Sequence, residues 1–430
     1  MSEGEAGLEH GTLPQGRGVK TTATRKPARS RLGLLHQLCN LIPAHLVPRL
    51  AREHGVEEKS RTFSPWSHVV SLLFAQLTHA LGLNDVADAL RLRSGPLAAI
   101  RGATPPSKNG LSHANRERDA AMAEALFWSV LDHLQTLVPQ FGRGRRPRFA
   151  FRFKRVVHIV DATTIQLVAR CMDWAKHRRR KAAAKCHVRL NLQSFLPRFA
   201  IVDTAREHDN LRARELCAGV KPGEIVIFDK AYVDFEHLAD LAARDVFWVT
   251  RAKDNLQFRV VERLQPAADT GTLEDDVIEL TSPPSLRAYP NVLRRVVARV
   301  EVDGELRDMV FLTNNFTWSA QSVADLYRCR WAIECFFKEL KQTLQLADFL
   351  GTNANAVRWQ VWTALLAYAL LRFAAFVSRW DHSFIRLFAL IRTALWQKLD
   401  WCSLLEVYGT AAGGGRFLGT PEQAYLPGFR

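Results

Sequence analysis

Apolar residues recur along this chain with a period that changes twice. From Leu34 to Leu137 they fall at three- and four-residue intervals, the spacing of helices that bury one face. Ser64-Pro65 reads as an N-cap followed by proline at the first helical position, leading into Trp66, Val69, Val70, Leu73 and Leu77. Leu81-Gly82-Leu83-Asn84 breaks that pattern before Val86, Leu90 and Leu92, which predicts two helices across a tight turn, compatible with a helix-turn-helix. A further helix is expected from Ser112 past Trp128 to Leu137. Phe141 to Arg148, FGRGRRPR, reads as a linker and a domain boundary.

Beyond the linker the period shortens. Val156 to Val160 is a mostly β-branched run that ends on Asp161, and Val188 to Leu192 and Phe199 to Val202 predict two more strands. Glu224 to Phe228 predicts a fourth, ending on Asp229 and followed by Lys230-Ala231-Tyr232. A helix from Phe235 to Arg244 and a fifth strand from Val246 to Thr250 lead to Arg251, and residues 256 to 315 alternate like a mostly β insertion. The helical period then returns from Tyr327 to Lys341. At about 100° per residue, Tyr327, Arg330, Glu334 and Lys341 share a sector of roughly 60°. Leu326, Ile333, Phe337, Leu340 and Leu344 form an apolar stripe beside it, so the carboxylate is expected at the edge of a core. The run Val361 to Leu371, stopped by Arg372 short of a membrane span, reads as a buried helix.

The fold class is therefore α/β, with an all-α region before it. A chain of 430 residues, 47% hydrophobic, can bury a core for two or three domains. Residues 1 to about 30, rich in Gly, Thr, Arg and Lys, predict a disordered basic arm. Charge changes this picture more than composition does. Of a net charge of +16, much sits between Arg143 and Arg189, where 15 Lys/Arg face only Asp161 and Asp173, including KHRRRK at 176 to 181. Such a tract attracts polyanions, nucleic acid first among them, although a solvated face has the same composition. Seven scattered cysteines without CxxC spacing read as reduced thiols in a cytosolic protein without structural zinc.

Two strands each ending on an aspartate, and a helix offering a glutamate, can together hold divalent cations. Hard carboxylate oxygens suit Mg²⁺ or Mn²⁺, and two such ions can activate both the attacking and the leaving oxygen of a phosphodiester. Taken singly, each aspartate is more often a turn or capping residue, and Arg330 with Glu334 more often an ordinary surface pair. Other chemistries fail on their own terms. Gly413-Gly414-Gly415 lacks the Lys-Ser/Thr of a phosphate loop, His208 and His237 lack metal-site spacing, and no G-x-S-x-G elbow occurs.

The string Tyr327-x2-Arg330-x3-Glu334-x6-Lys341 resembles the signature of bacterial DDE transposases of the insertion sequence 4 family, and Asp229-Lys230-Ala231-Tyr232 resembles that family's second-aspartate motif. Val160-Asp161-Ala162-Thr163 supplies the shorter first motif. The resemblance spans roughly residues 150 to 380, and the spacing of Asp161, Asp229 and Glu334 leaves room for the β insertion. It implies an RNase H-like catalytic core at 150–380 with the insertion at about 256–315. A helical DNA-end-binding domain would precede it at 31–140, and a helical or irregular extension would follow at 381–430. It further implies Asp161, Asp229 and Glu334 as catalytic ligands of Mg²⁺, for which Mn²⁺ can substitute. Tyr327, Arg330, Lys341 and Arg251 would contact DNA phosphates. The partners implied are double-stranded DNA, as transposon end repeats and target, and a second copy of the chain on that DNA, with no membrane. The place implied is the bacterial cytoplasm at the nucleoid. The activity implied is metal-dependent cleavage at transposon ends with strand transfer. Two alternatives stay open: an RNase H-like nuclease without strand transfer, and a catalytically inactive DNA-binding derivative. The family's base-flipping tryptophan has no matching position, and Trp318 is a candidate by residue type alone.

Overall fold

The computed structural model describes residues 26–56, 63–143, 154–167, 176–178, 181–204, 209–265, 271–302, 305–344 and 349–409. Most of the proposed basic arm, residues 1–25, and much of the basic tract lie outside these. Residues 26–30 do not stand apart as an arm: Arg29 bridges Leu399, and the Asp400 amide donates to the Ala28 carbonyl.

The N-terminal region is helical, as the period predicts. It comprises α1 (Leu34–Asn40), α2 (Leu46–Glu53), α3 (Pro65–Thr78), α4 (Leu83–Leu92), α5 (Ser94–Ala98), α6 (Lys108–Glu117), α7 (Ala121–Leu137) and α8 (Pro139–Arg143). Ser64 caps α3 by accepting from the Ser67 amide at 3.0 Å. His79, left-handed at φ 58°, ends it, and α4 leaves at 104°. Where one helix was expected from Ser112 to Leu137 there are two, because Arg118 turns inward. Its guanidinium donates to the carbonyls of Phe63 and Ser64, and its own carbonyl accepts from Trp359 Nε1 at 2.8 Å. The expected linker also begins inside the fold: Phe141 lies in α8 and packs edge-on against Phe373 at 5.3 Å.

The strands are β1 (Val157–Leu167), β2 (Lys176–Arg178), β3 (Lys181–Asn191), β4 (Leu196–Thr204), β5 (Ile225–Phe228), β6 (Phe247–Arg251), β7 (Phe258–Arg263), β8 (Thr272–Leu280), β9 (Leu293–Val302) and β10 (Glu305–Thr313). The described strands join in one ten-stranded sheet, in the order β2-β3-β1-β5-β6-β10-β9-β8-β7, with β4 also paired to β3. Within it, β1, β3 and β4 form an antiparallel meander, while β5 and β6 run parallel to β1. The helices α9 (Asp209–Cys217) and α10 (Phe235–Ala243) make the crossovers. The expected β insertion is therefore not a detached unit. Its last strand, β10, pairs with β6 and extends the same sheet.

The helices α11 (Pro283–Ala288), α12 (Ala320–Arg328), α13 (Trp331–Lys338), α14 (Ala354–Val377), α15 (Phe384–Ala394) and α16 (Trp401–Gly409) complete the chain. One face of the sheet, through Ile159, Ile227, Val249 and Phe311, shares a core with α13, α14 and the N-terminal helices. The other, through Val160, Phe228, Trp248 and Leu312, packs on α9 and α10. Helix α14 is long and apolar enough to cross a bilayer, yet its apolar window is 83% buried inside the fold. The described cysteines are all free, and all but Cys402 are buried.

Candidate active site

Residues Val157–Val160 pair in parallel with Ile225–Phe228, which pair in turn with Phe247–Thr250. The next residues along the three strands are Asp161, Asp229 and Arg251, so these stand in one row across strands about 4.8 Å apart. Period-two alternation sends each to the face where Ile159, Ile227 and Val249 are buried. Helix α13, which carries Glu334, packs on that same face through Ile333 and Phe336. Asp229 ends β5 as the sequence predicts, but β1 does not end at Asp161. It continues to Leu167 because Thr163, Thr164 and Ile165 keep pairing with β3 after the parallel partner has stopped. Asp161 therefore sits where β1 loses one neighbour and keeps the other.

The helix expected from Tyr327 to Lys341 is broken twice. At Cys329 and Arg330 the backbone hydrogen bonds tighten to three-residue spacing, as in Arg330 N–H to Tyr327 C=O at 3.0 Å, and at Glu339–Thr343 the helix widens into a π turn. The tight turn lets both signature residues reach the sheet. The Tyr327 hydroxyl donates to Asp229 Oδ1 at 3.1 Å, and its ring packs 5.0 Å from Phe311. Arg330 donates to Asp161 Oδ2 at 3.2 Å and, through its other terminal nitrogen, to Glu334.

Burial pushes the Asp161 carboxyl up to about 6, with Asp229 and Glu334 adding to the shift and the Ala162 amide and Arg330 opposing it. Burial works against the Arg330 charge, but Tyr327, Glu334, Asp161 and Asp229 together hold its pKa above the usual range. Burial likewise raises the Tyr327 phenol, which stays protonated and can only donate to Asp229.

The three acids thus converge around one guanidinium. They do not form a ready-made cage: among the described residues no three His, Cys, Asp or Glu side chains are gathered as a metal site. Arg330 is the cation that Asp161 and Glu334 share.

Lys341, the last signature residue, lies within the π turn. A π turn advances each residue by less than an α-helix does, so the angle between Glu334 and Lys341 differs from that of a uniform helix. Lys341 lies half-buried near Cys186 of β3, and burial lowers its pKa. Arg251, at the end of β6, is close enough to act on the Tyr327 phenol. Trp318 belongs elsewhere: its ring lies 5.3 Å from Phe247, at the opposite end of β6 from Arg251. Sequence reasoning passed over Glu339, a buried acid in the π turn whose partner is Arg372. The signal was available, because a lone arginine within an apolar run calls for a buried counter-charge.

Residues 152–370 match the family model described as transposase DDE domain. The chain belongs to this family. The transposase is 31% identical over 299 residues to y4zB of Sinorhizobium fredii, also assigned as a transposase, spanning 69% of this chain and 79% of that one. It is 26% identical over 333 residues, 77% and 82% of the two chains, to the transposase assigned to insertion sequence element IS5377 of Geobacillus stearothermophilus. Over 193 residues, 43% of this chain and 42% of that one, it is 25% identical to transposase InsG for insertion sequence element IS4 of Escherichia coli. The enzyme's matched region holds Asp161, Asp229, Arg251, Tyr327, Arg330, Glu334 and Lys341. Residues 30–100 match a second model, a domain of unknown function designated DUF4372.

Proposed function

We propose that this transposase cuts DNA at the ends of an insertion sequence of the IS4 type and transfers the strands to target DNA, using Asp161, Asp229 and Glu334 as its catalytic carboxylates. The observation that carries the reading is the row Asp161, Asp229, Arg251 across β1, β5 and β6, facing Glu334 on α13. The order β4-β3-β1-β5-β6, an antiparallel meander followed by two strands parallel to β1, supports an RNase H-like core.

The chemistry of the donors suits a divalent ion once they close in: they are all carboxylate oxygen, and two of them, Asp161 and Glu334, already share a cation in Arg330. Asp161, Asp229 and Glu334 would hold Mg²⁺, or Mn²⁺ in its place, and the ion would supply Lewis-acid activation of the phosphodiester. The chain's own side chains do the rest. Tyr327 orients Asp229 through its hydroxyl. Arg330 and Arg251 offer guanidiniums to phosphate oxygens at the edge of the acidic cluster, where paired N–H donors suit them. Lys341, about two turns beyond Glu334, contacts phosphates of the transposon end. The transposase works as a homodimer on double-stranded DNA in the bacterial cytoplasm.

The test uses full-length protein and a duplex bearing the inverted repeat that brackets the reading frame. Asp161→Asn, Asp229→Asn and Glu334→Gln are each expected to abolish cleavage in Mg²⁺ while end binding in chelator stays within about threefold of wild type. Equal cleavage by all four proteins refutes the assignment. A joined product with target DNA separates the transposase from a nuclease that only hydrolyses.

A further inference from the structure

Five residues beyond Glu334, α13 gives way to the π turn Glu339–Thr343. Such a turn has poorer internal hydrogen bonding than a continued α-helix and persists where its surroundings hold it, often beside functional groups. Two sets of contacts hold this one. On one side the Glu339 carboxylate, 7% exposed, lies 2.5 Å from the Arg372 guanidinium of α14. Arg372 Nε donates to the Tyr368 hydroxyl at 2.9 Å, and that hydroxyl donates to the Phe195 carbonyl at 3.1 Å. The guanidinium carbon lies 4.9 Å from the rings of Phe195 and Phe384 and 5.1 Å from that of Tyr368, which encloses the charge.

On the other side stands His79, the left-handed residue that ends α3. Its Nε2 donates to the Thr343 carbonyl at 2.7 Å, which satisfies one of the acceptors left over at the end of the turn. Its Nδ1 accepts from Arg392 at 3.1 Å, and its ring stacks on Phe388 at 4.8 Å. Neither set includes Asp161, Asp229 or Glu334.

A largely buried ion pair is a poor way to gain stability, because an apolar pair of the same volume often does as well or better. What it can supply is a single register: a carboxylate that must meet one guanidinium does not tolerate a slipped turn. We propose that Glu339, Arg372, Tyr368 and His79 are positioning residues that lock the π turn, and through it fix where Glu334 stands against the sheet. His79 lies in the segment matched by the domain of unknown function, so that segment braces the catalytic helix. The proposal rests on the reading of Glu334 as a cleavage residue.

The test compares full-length Glu339→Gln, Tyr368→Phe and His79→Asn with wild type, with Glu334→Gln, and with Leu365→Ala. The last is a core truncation on α14 that leaves these contacts alone. The readouts are end binding, cleavage rate of the inverted-repeat duplex, and amide hydrogen exchange of residues 334–343. Glu339→Gln is expected to slow cleavage by about 10–100-fold, the usual effect of losing a group that orients a ligand, with end binding within about threefold. Tyr368→Phe and His79→Asn, milder changes that decide the matter if Glu339→Gln does not fold, are each expected to slow it by about 3–10-fold. All three are expected to speed exchange in 334–343, whereas Leu365→Ala does neither at temperatures below its melting. If the three variants match Leu365→Ala in rate and exchange while Glu334→Gln is inactive, the positioning role is overturned and the function stands. If Glu334→Gln cleaves like wild type, it is the proposed function that falls.

Discussion

Arg330 Nη1 lies 3.2 Å from Asp161 Oδ2, joining two residues 169 positions apart in the chain. The same guanidinium holds Glu334, so one side chain sets the charge balance of the whole acidic cluster. Arg330→Ala is expected to raise the Asp161 carboxyl further above about 6, because the arginine is one of the groups holding it down. Less Asp161 is then ionised at neutral pH in the metal-free protein, and its carboxyl resonance is expected to titrate at higher pH in the variant than in wild type. If Arg330 also meets a phosphate, the slope of log binding constant against log salt falls by about one unit. Filter binding across a salt series checks it, and an unchanged slope removes Arg330 from the DNA.

Asp275 and Arg294, both buried, form a two-pronged pair at 2.7 and 2.8 Å between β8 and β9. The guanidinium also reaches the carbonyls of Asn315 and Trp318, just before α12. Asp275→Ala leaves an unpaired buried charge, which typically costs about 3–5 kcal/mol. The urea midpoint is expected to drop accordingly. Asp275→Asn, which keeps an acceptor, is expected to lose less.

His68 carries a pH signature that an exposed histidine lacks. Burial between Phe63 and Trp359 pushes its pKa down to about 3, with the Arg118 charge helping and the Asn115 hydrogen bond opposing. In the unfolded chain it takes a proton near pH 6.5. Between those values the unfolded state binds the extra proton, so stability is lost as pH falls below about 6.5, by up to about 1.4 kcal/mol per unit. Denaturation at pH 7 and pH 5 is expected to show wild type losing about 2 kcal/mol more than His68→Gln. Equal losses would place His68 in contact with water.

The helical N-terminal region, the strand ending on Asp229 and the apolar stripe of Ile333 and Phe337 were legible because each follows from local period and capping. Ser64 announces its helix, and the structure shows the bond that makes it a cap. What the letters hid was tertiary in origin. Arg118 breaks an otherwise continuous helix because Phe63, Ser64 and Trp359 offer it partners from distant parts of the chain. Asp161 looked like a strand end because its neighbours turn polar, yet β3 carries that strand onward. The helical wheel placed Lys341 beside Glu334 by assuming one twist throughout, and the π turn, held by Arg372 and His79, changes the twist between them.

The first turn of α1 is tied to backbone more than 350 residues further along the chain. The Leu34 and Leu35 amides donate to the carbonyls of Gln397 and Leu395, and Gln37 reaches the carbonyl of Leu399. During synthesis, at roughly 5–20 residues per second, these acceptors emerge only after more than 350 later residues have been made. A polypeptide that stops short of Leu395 lacks those acceptors, so the first turn of α1 depends on some of the most non-local contacts in the fold.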